Sequence, residues 1–211
     1  MMVLSMKALR FAAIGLLAVA GSLVAGVAWA QATPVDYAQR YTQACAACHG
    51  EAGGGVPGLA PVLAGQPSFY ALTQLFLFRA GRRGNEAMTA VAKDMTDTDL
   101  RGFSELIGKM AAMPAAPVAQ APDTARMAQG RVLAQSHMCL GCHGKDLAGA
   151  PQVPRLAGQH EDYLARTLQE FRSAKRVGYT SAMSEALSGL KPDELDVLAY
   201  YMARHSGSAA P

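Results

Sequence analysis

Tyr70, Ala71, Leu75 and Phe78 recur at the spacing of one helical face, and Tyr163, Leu164, Leu168 and Phe171 repeat that face further on. Leu100, Phe103 and Ile107 form a second stripe, repeated as Leu195, Leu198 and Met202. The second stripe opens on a helix-start signal in each case. Thr96-Asp-Thr-Asp99 reads as a capping box, and Pro192 with Asp193 and Glu194 puts a proline and two acids in a first turn. Further helices are expected over Asp36–Ala44 and Thr124–Met138. No stretch alternates apolar and polar positions as a half-buried strand would. The pattern predicts an all-α chain.

One run departs from helical periodicity. Phe11 to Val27 is almost continuously apolar, follows Lys7 and Arg10, and ends in the small-x-small sequence Ala28-Trp29-Ala30. Residues 1–30 therefore read as a secretory signal peptide. The rival is an uncleaved anchor, because Phe11–Ala30 is long enough to span a bilayer. Gly15, Gly21, Ser22 and Gly26 dilute that run. On either reading the body of the protein lies outside the cytoplasm, and the expected compartment is the periplasm. No later stretch is apolar enough to span.

The remainder is written twice. Cys45-Ala-Ala-Cys48-His49-Gly50 returns as Cys139-Leu-Gly-Cys142-His143-Gly144, and Pro61-Val-Leu-Ala-Gly-Gln66 returns as Pro154-Arg-Leu-Ala-Gly-Gln159. Tyr70 pairs with Tyr163, Phe78-Arg79 with Phe171-Arg172, and Met88 with Met183. So many matches in one register mark a duplication. Between the copies, residues 113–122 form a Pro/Ala-rich stretch that reads as a semi-extended linker. The expected organisation is a signal over 1–30, one domain over 31–112, the linker over 113–122, and a second domain over 123–211. That linker looks long for a rigid two-domain carrier and leaves the haem–haem distance open.

Composition narrows the choice. Half the chain is apolar (51%) and 17% is charged, which excludes a disordered tail protein. Outside the first thirty residues 17 basic groups face 16 acidic ones, so no clustered basic face for nucleic acid is expected.

Four cysteines decide the chemistry. Cys-x-x-Cys-His is the attachment signature of c-type haem. Two thiols on one helical turn reach the two vinyl groups at one edge of a porphyrin, and the next histidine addresses the metal. Disulfides, a zinc site or a thiol redox motif also use such cysteines, but none requires a histidine after the second cysteine in both copies. The reading is two covalent haem c groups, on Cys45 and Cys48 and on Cys139 and Cys142. His49 and His143 are the first axial ligands. The repeat selects Met88 and Met183 for the opposite face, although methionine also fills core gaps. Pro61 and Pro154 are placed to offer a carbonyl to each histidine ring, or are ordinary turn prolines. Arg79 and Arg172, or the pairs Arg82-Arg83 and Lys175-Arg176, either bind the haem propionates or form solvated helix ends. Tyr70 and Tyr163 read as core aromatics, and His137, His160 and His205, which have no counterparts in copy one, as surface residues.

With these residues assembled, the chain resembles the two-haem cytochrome c4 family across both copies. The resemblance implies two tandem class I cytochrome c domains, each a small helical bundle around a covalent haem with His/Met ligation. It implies a periplasmic, soluble or membrane-associated carrier, not an enzyme. Such a carrier passes single electrons by outer-sphere transfer from a respiratory-chain donor, such as a quinol-oxidising complex, to a terminal oxidase or reductase. The alternative is the electron-accepting haem subunit of a periplasmic dehydrogenase. A two-haem peroxidase would need an open or displaceable ligand with acid–base residues beside it, and the short ligand loops offer none. The copies depart from the family in places. The first helix usually carries Gly followed by an aromatic, where copy one has Asp36-Tyr37 and copy two Gly130-Arg131. The last helix usually carries Ala-Tyr-Tyr, present as Ala199-Tyr200-Tyr201 but replaced in copy one by Ser104-Glu105-Leu106.

Overall fold

The structure, a computed structural model, describes residues 34–115, 121–176 and 181–206. The predicted signal peptide lies outside the described residues, as does the middle of the Pro/Ala stretch. Copy one folds as α1 (Tyr37–Ala44), α2 (Ala46–His49), α3 (Ser68–Arg79), α4 (Glu86–Ala92) and α5 (Asp97–Lys109). Copy two repeats this order as α6 (Thr124–Ser136), α7 (Cys139–His143), α8 (Glu161–Arg172), α9 (Ala182–Leu187) and α10 (Pro192–Arg204). The only extended pairings among the described residues are two isolated bridges, Val56 with Ala60 and Ala150 with Val153. The chain is all-α.

Local chemistry sets the helix ends. Asp36 accepts from the amides of Ala38 and Gln39 at 2.9 and 3.0 Å and starts α1. Thr96 and Asp99 close a reciprocal capping box at the start of α5, as their spacing predicts. The stripe of α10 (Leu195, Leu198, Met202) is at most 2% exposed and packs with Leu164, Leu168 and Phe171 of α8. The stripe of α5 (Leu100, Phe103) joins Tyr41 and Leu75 in a smaller cluster. Four short helices were not expected from the periodicity. They are α2 and α7, which carry the cysteine motifs, and α4 and α9, which carry Met88 and Met183.

Two of the departures noted between the copies lie where the first and last helices meet. In copy one Tyr37 of α1 lies over Gly102 of α5, where a Cβ would fall 2.1 Å from the ring. In copy two the large residue is on the last helix: Tyr201 of α10 lies over Gly130 of α6, where a Cβ would fall 2.3 Å from the Tyr201 Cβ. The first and last helices of each copy thus meet through a tyrosine on a glycine, with the tyrosine on the first helix in copy one and on the last helix in copy two.

The described residues of both copies belong to one compact unit that begins at Val35. The first linker residues pack on copy two, where a Cβ on Gly158 would sit 3.0 Å from the Met113 carbonyl oxygen. At the other end the Asp123 amide donates to the Tyr200 hydroxyl at 2.8 Å.

Gly130→Ala forces a Cβ into Tyr201 and should lower stability by about 1–3 kcal/mol, as overpacking does. Gly141→Ala enters open space and copies the alanine that copy one has at that place, so its melting temperature should stay unchanged. Thermal unfolding of the two variants checks the crossing. Asp99 makes a second test. A hydrogen bond from Arg40, outweighing partial burial, and the Thr96 amide and hydroxyl hold its carboxyl well below the usual range. A depressed carboxyl stabilises the fold above its unfolded pKa of about 3.9, and that stability is lost as pH falls through the lower folded value. Asp99→Asn should therefore lower the melting temperature at neutral pH and flatten its fall on acidification.

Candidate haem-binding sites

Each cysteine motif occupies one helical turn closed by a glycine in the left-handed region, Gly50 at φ 73° and Gly144 at φ 80°. Cys45 and Cys139 are half-buried and Cys48 and Cys142 exposed, so each pair runs from core to rim. Burial pushes the Cys45 thiol up to about 11 and raises Cys139 as well. No described cluster of three His, Cys, Asp or Glu side chains is arranged to hold a metal ion such as zinc.

The histidines are fixed from behind. His49 is 5% exposed and its Nδ1 lies 2.9 Å from the Pro61 carbonyl oxygen; His143 is 4% exposed and lies 2.9 Å from that of Pro154. A carbonyl only accepts, so Nδ1 carries the proton and Nε2 presents its lone pair. Burial lowers both pKa values, with the carbonyl bond opposing, and keeps the rings neutral. The carbonyl is brought in by a glycine: Gly55 (φ 70°) and Gly149 (φ 87°) each sit where a Cβ would strike the chain at Pro61 or Pro154, at 2.6 and 2.8 Å. The change of repeat offset falls here. Six steps separate Gly55 from Pro61 and five separate Gly149 from Pro154, yet both loops close the same bond.

Both sites open into one cavity of about 1300 Å³, lined by all four cysteines, both histidines, Met88 and Met183. That exceeds the ~300–1,000 Å³ of a single small-molecule site. Leu75, Phe78 and Ile107 line it in copy one, and Leu168, Phe171 and Leu198 in copy two. Met88 packs with Cys45 and Leu63 against the core of copy one, and Met183 with Cys139 and Leu156 against that of copy two. A covalent edge, a neutral imidazole nitrogen, a thioether and an apolar wall are the donor set and lining that a c-type haem requires. The residues fit the group.

The copies meet through a reciprocal exchange. The Val62 amide donates to Gln159 Oε1 at 2.8 Å, and Gln159 Nε2 donates to the Val62 carbonyl at 2.9 Å. Gln66 treats Arg155 in the same way, its Nε2 donating to the carbonyl at 2.9 Å and its Oε1 accepting from the amide at 3.1 Å. Both glutamines are buried. Beside them Arg83 bonds Gln74 at 2.6 Å in its own copy and reaches the Tyr163 hydroxyl at 2.9 Å in the other. Arg176 bonds Thr167, the counterpart of Gln74, at 3.2 Å. Burial raises the Tyr163 phenol, but the nearby Arg83 and Arg176 charges outweigh it and bring the pKa to about 8.

The sequence reading named two arginine sets for the propionates, and the structure separates them. Arg83 and Arg176 line the cavity. Arg79 turns to the Met95 carbonyl and Asp97, and Arg172 is exposed. The expected surface histidines are corrected: all three are partly buried, and His205 stacks edge-on against Tyr201 at 5.5 Å. Tyr70 and Tyr163 line the joint between the copies, not a separate core. The glutamines were visible only as repeated letters after Leu-Ala-Gly, and nothing in one copy alone revealed that each serves the other.

Fold and sites together define a c-type cytochrome with two haem c sites of His/Met ligation. Residues 32–107 match the family model for cytochrome c oxidase, cbb3-type, subunit III, and residues 127–206 match that for cytochrome c. The chain is 34% identical over 168 residues to the cytochrome c4 of Thiocapsa roseopersicina, covering 75% of this chain and 85% of that one. It is 30% identical to a thiosulfate dehydrogenase electron acceptor of Thiomonas intermedia, over 73% of this chain and 71% of that one. The crystal structure of reduced cytochrome c4 from Pseudomonas stutzeri superposes with a TM-score of 0.72 at 26% identity, over 83% of this chain and 100% of that one. The chain belongs to the dihaem cytochrome c4 family, whose members are electron carriers.

Gln159→Leu leaves the Val62 amide and carbonyl buried without partners. At about 1–3 kcal/mol for each orphaned group, the denaturation midpoint should fall clearly. An unchanged midpoint would show that the exchange does not hold the copies together.

Proposed function

We propose that this protein carries single electrons in the periplasm, after export directed by residues 1–30, between a respiratory-chain donor and a terminal oxidase or reductase. The observation that carries the reading is the single cavity shared by two complete donor sets. In it Cys45, Cys48, His49 and Met88 would hold one haem, and Cys139, Cys142, His143 and Met183 the other. Bound haem supplies a one-electron iron couple. The chain fixes both histidine tautomers through Pro61 and Pro154, lines the cavity with an apolar wall, and offers Arg83 and Arg176 on that lining as cations for the propionates. With a histidine and a methionine both engaged, each iron would have no position left for a substrate.

A second reading has a specific observation behind it. A relative of similar length is named a thiosulfate dehydrogenase electron acceptor, so an electron-accepting partner of a periplasmic dehydrogenase is the alternative. Native periplasm and membranes, separated by size and followed by covalent haem staining, distinguish the two. A free carrier elutes alone at about the size expected of two small domains. A dehydrogenase subunit co-elutes with an enzyme. For the ligand assignment, Met88→Ala and Met183→Ala should each remove half of the far-red absorption of methionine-ligated ferric haem and lower one of the two potentials. A full band in either variant overturns that methionine.

A further inference from the structure

Charge is unevenly distributed over this chain. Outside the first thirty residues 17 basic groups face 16 acidic ones, so the body carries almost no net charge. Every Asp and Glu of the sequence falls within the described residues, so the placing of the acidic side chains is known throughout. Arg40 pairs with Asp99, Arg79 with Asp97, Lys93 with Asp94, and Arg126 and Arg204 with Glu161. Around the shared cavity the balance is different. The charged side chains on its lining are Arg83, Arg155, Arg166, Lys175 and Arg176, against Glu170 alone.

Three of these cations gather on one tyrosine at the joint between the copies. Arg83 donates to the Tyr163 hydroxyl at 2.9 Å, the Arg166 guanidinium lies 5.6 Å from the centre of the ring, and Arg176 acts on the phenol by charge and hydrogen bond. Arg82 and Lys175 directly precede Arg83 and Arg176 and enlarge the cluster. Its members divide by burial. Arg155 is buried, and the half-buried Arg83 and Arg176 are the cations proposed for the haem carboxylates. Arg82, Arg166 and Lys175 are exposed. Among the described residues, none of these three forms an ion pair with a carboxylate.

Like charges gathered without counter-charge repel one another, and nothing in the fold offsets that cost. What such a cluster suits is an approaching negative surface. Arg166 and Lys175 also stand on the lining of the haem cavity itself. A redox partner has to come close to that cavity, whereas a membrane surface does not, and this favours a protein.

We propose that Arg82, Arg166 and Lys175 form a docking surface for a redox partner whose electron-transfer face is acidic. The inference rests on the carrier function proposed for this protein.

The test follows reoxidation of the reduced, haem-loaded protein by ferricyanide, an anion, and by the trisphenanthroline complex of trivalent cobalt, a cation. Ferricyanide should react about tenfold faster at low salt than at high salt, a dependence that a nearly neutral body does not supply. The cobalt complex should show the opposite trend. Arg166→Glu and Lys175→Glu should each slow ferricyanide by about two- to fivefold at low salt and speed the cobalt complex. A changed haem potential would move both oxidants the same way, so opposite movements isolate the local field. Arg101→Glu makes the same charge change on α5, off the cavity lining, and should leave both rates nearly unchanged. Polyglutamate, as an acidic polypeptide, should compete with ferricyanide in the native protein and not in the double variant Arg166→Glu/Lys175→Glu. Equal salt dependence for the two oxidants, variants that move both rates alike, or absence of competition overturns the proposal. Binding to phosphatidylglycerol vesicles that the double variant loses, without competition by polyglutamate, would make the cluster a membrane contact and overturn it too. A reduced protein that neither oxidant reoxidises would instead contradict the carrier function.

Discussion

Two buried glutamine side chains, each bonded to a backbone amide and carbonyl in the opposite copy, set the geometry on which the rest depends. A glutamine amide offers one donor and one acceptor side by side, so it pairs with an extended peptide unit much as a neighbouring strand would. Val62 and Arg155 provide those peptide units, and each directly follows the proline whose carbonyl holds a histidine ring. The contact that joins the copies is therefore one residue away from the contact that orients each histidine ring. Moving one copy relative to the other would disturb both sites.

That arrangement explains why one cavity serves two sites. The cysteine turns that would hold the haems and the cationic side chains Arg83 and Arg176 all line that cavity. Each arginine stacks on a phenylalanine of its own copy, Phe78 at 4.4 Å and Phe171 at 4.8 Å. Arg83 also reaches Tyr163 across the joint. Small domains of this size have little core of their own, and copy one shows it: its buried cluster has four members. Packing against a second copy and around a covalent group supplies what the sequence alone does not.

The duplication, the cysteine chemistry and the main helices were legible because they rest on local signals: fixed spacing, capping residues and an apolar stripe. Helices α4 and α9 were not, since a turn or two without a sustained stripe leaves no period to read. The departures at Tyr37 and at Tyr201 belong to tyrosine-on-glycine contacts between the first and last helices, Tyr37 on Gly102 and Tyr201 on Gly130, visible only when opposing helices are seen together. The role of Arg79 was hidden for a similar reason. Its letter repeats as Arg172, but its partner Asp97 does not, and a pairing cannot be read from one member.

The claim that most needs testing is that the two haems form one unit inside one molecule. The direct measurement is electron exchange in half-reduced protein, followed after rapid injection of one electron per chain at several protein concentrations. A relaxation between the two haems whose rate does not change with concentration is the result predicted by a shared cavity. A rate that rises in proportion to concentration would mean that electrons pass only between molecules, and would contradict it.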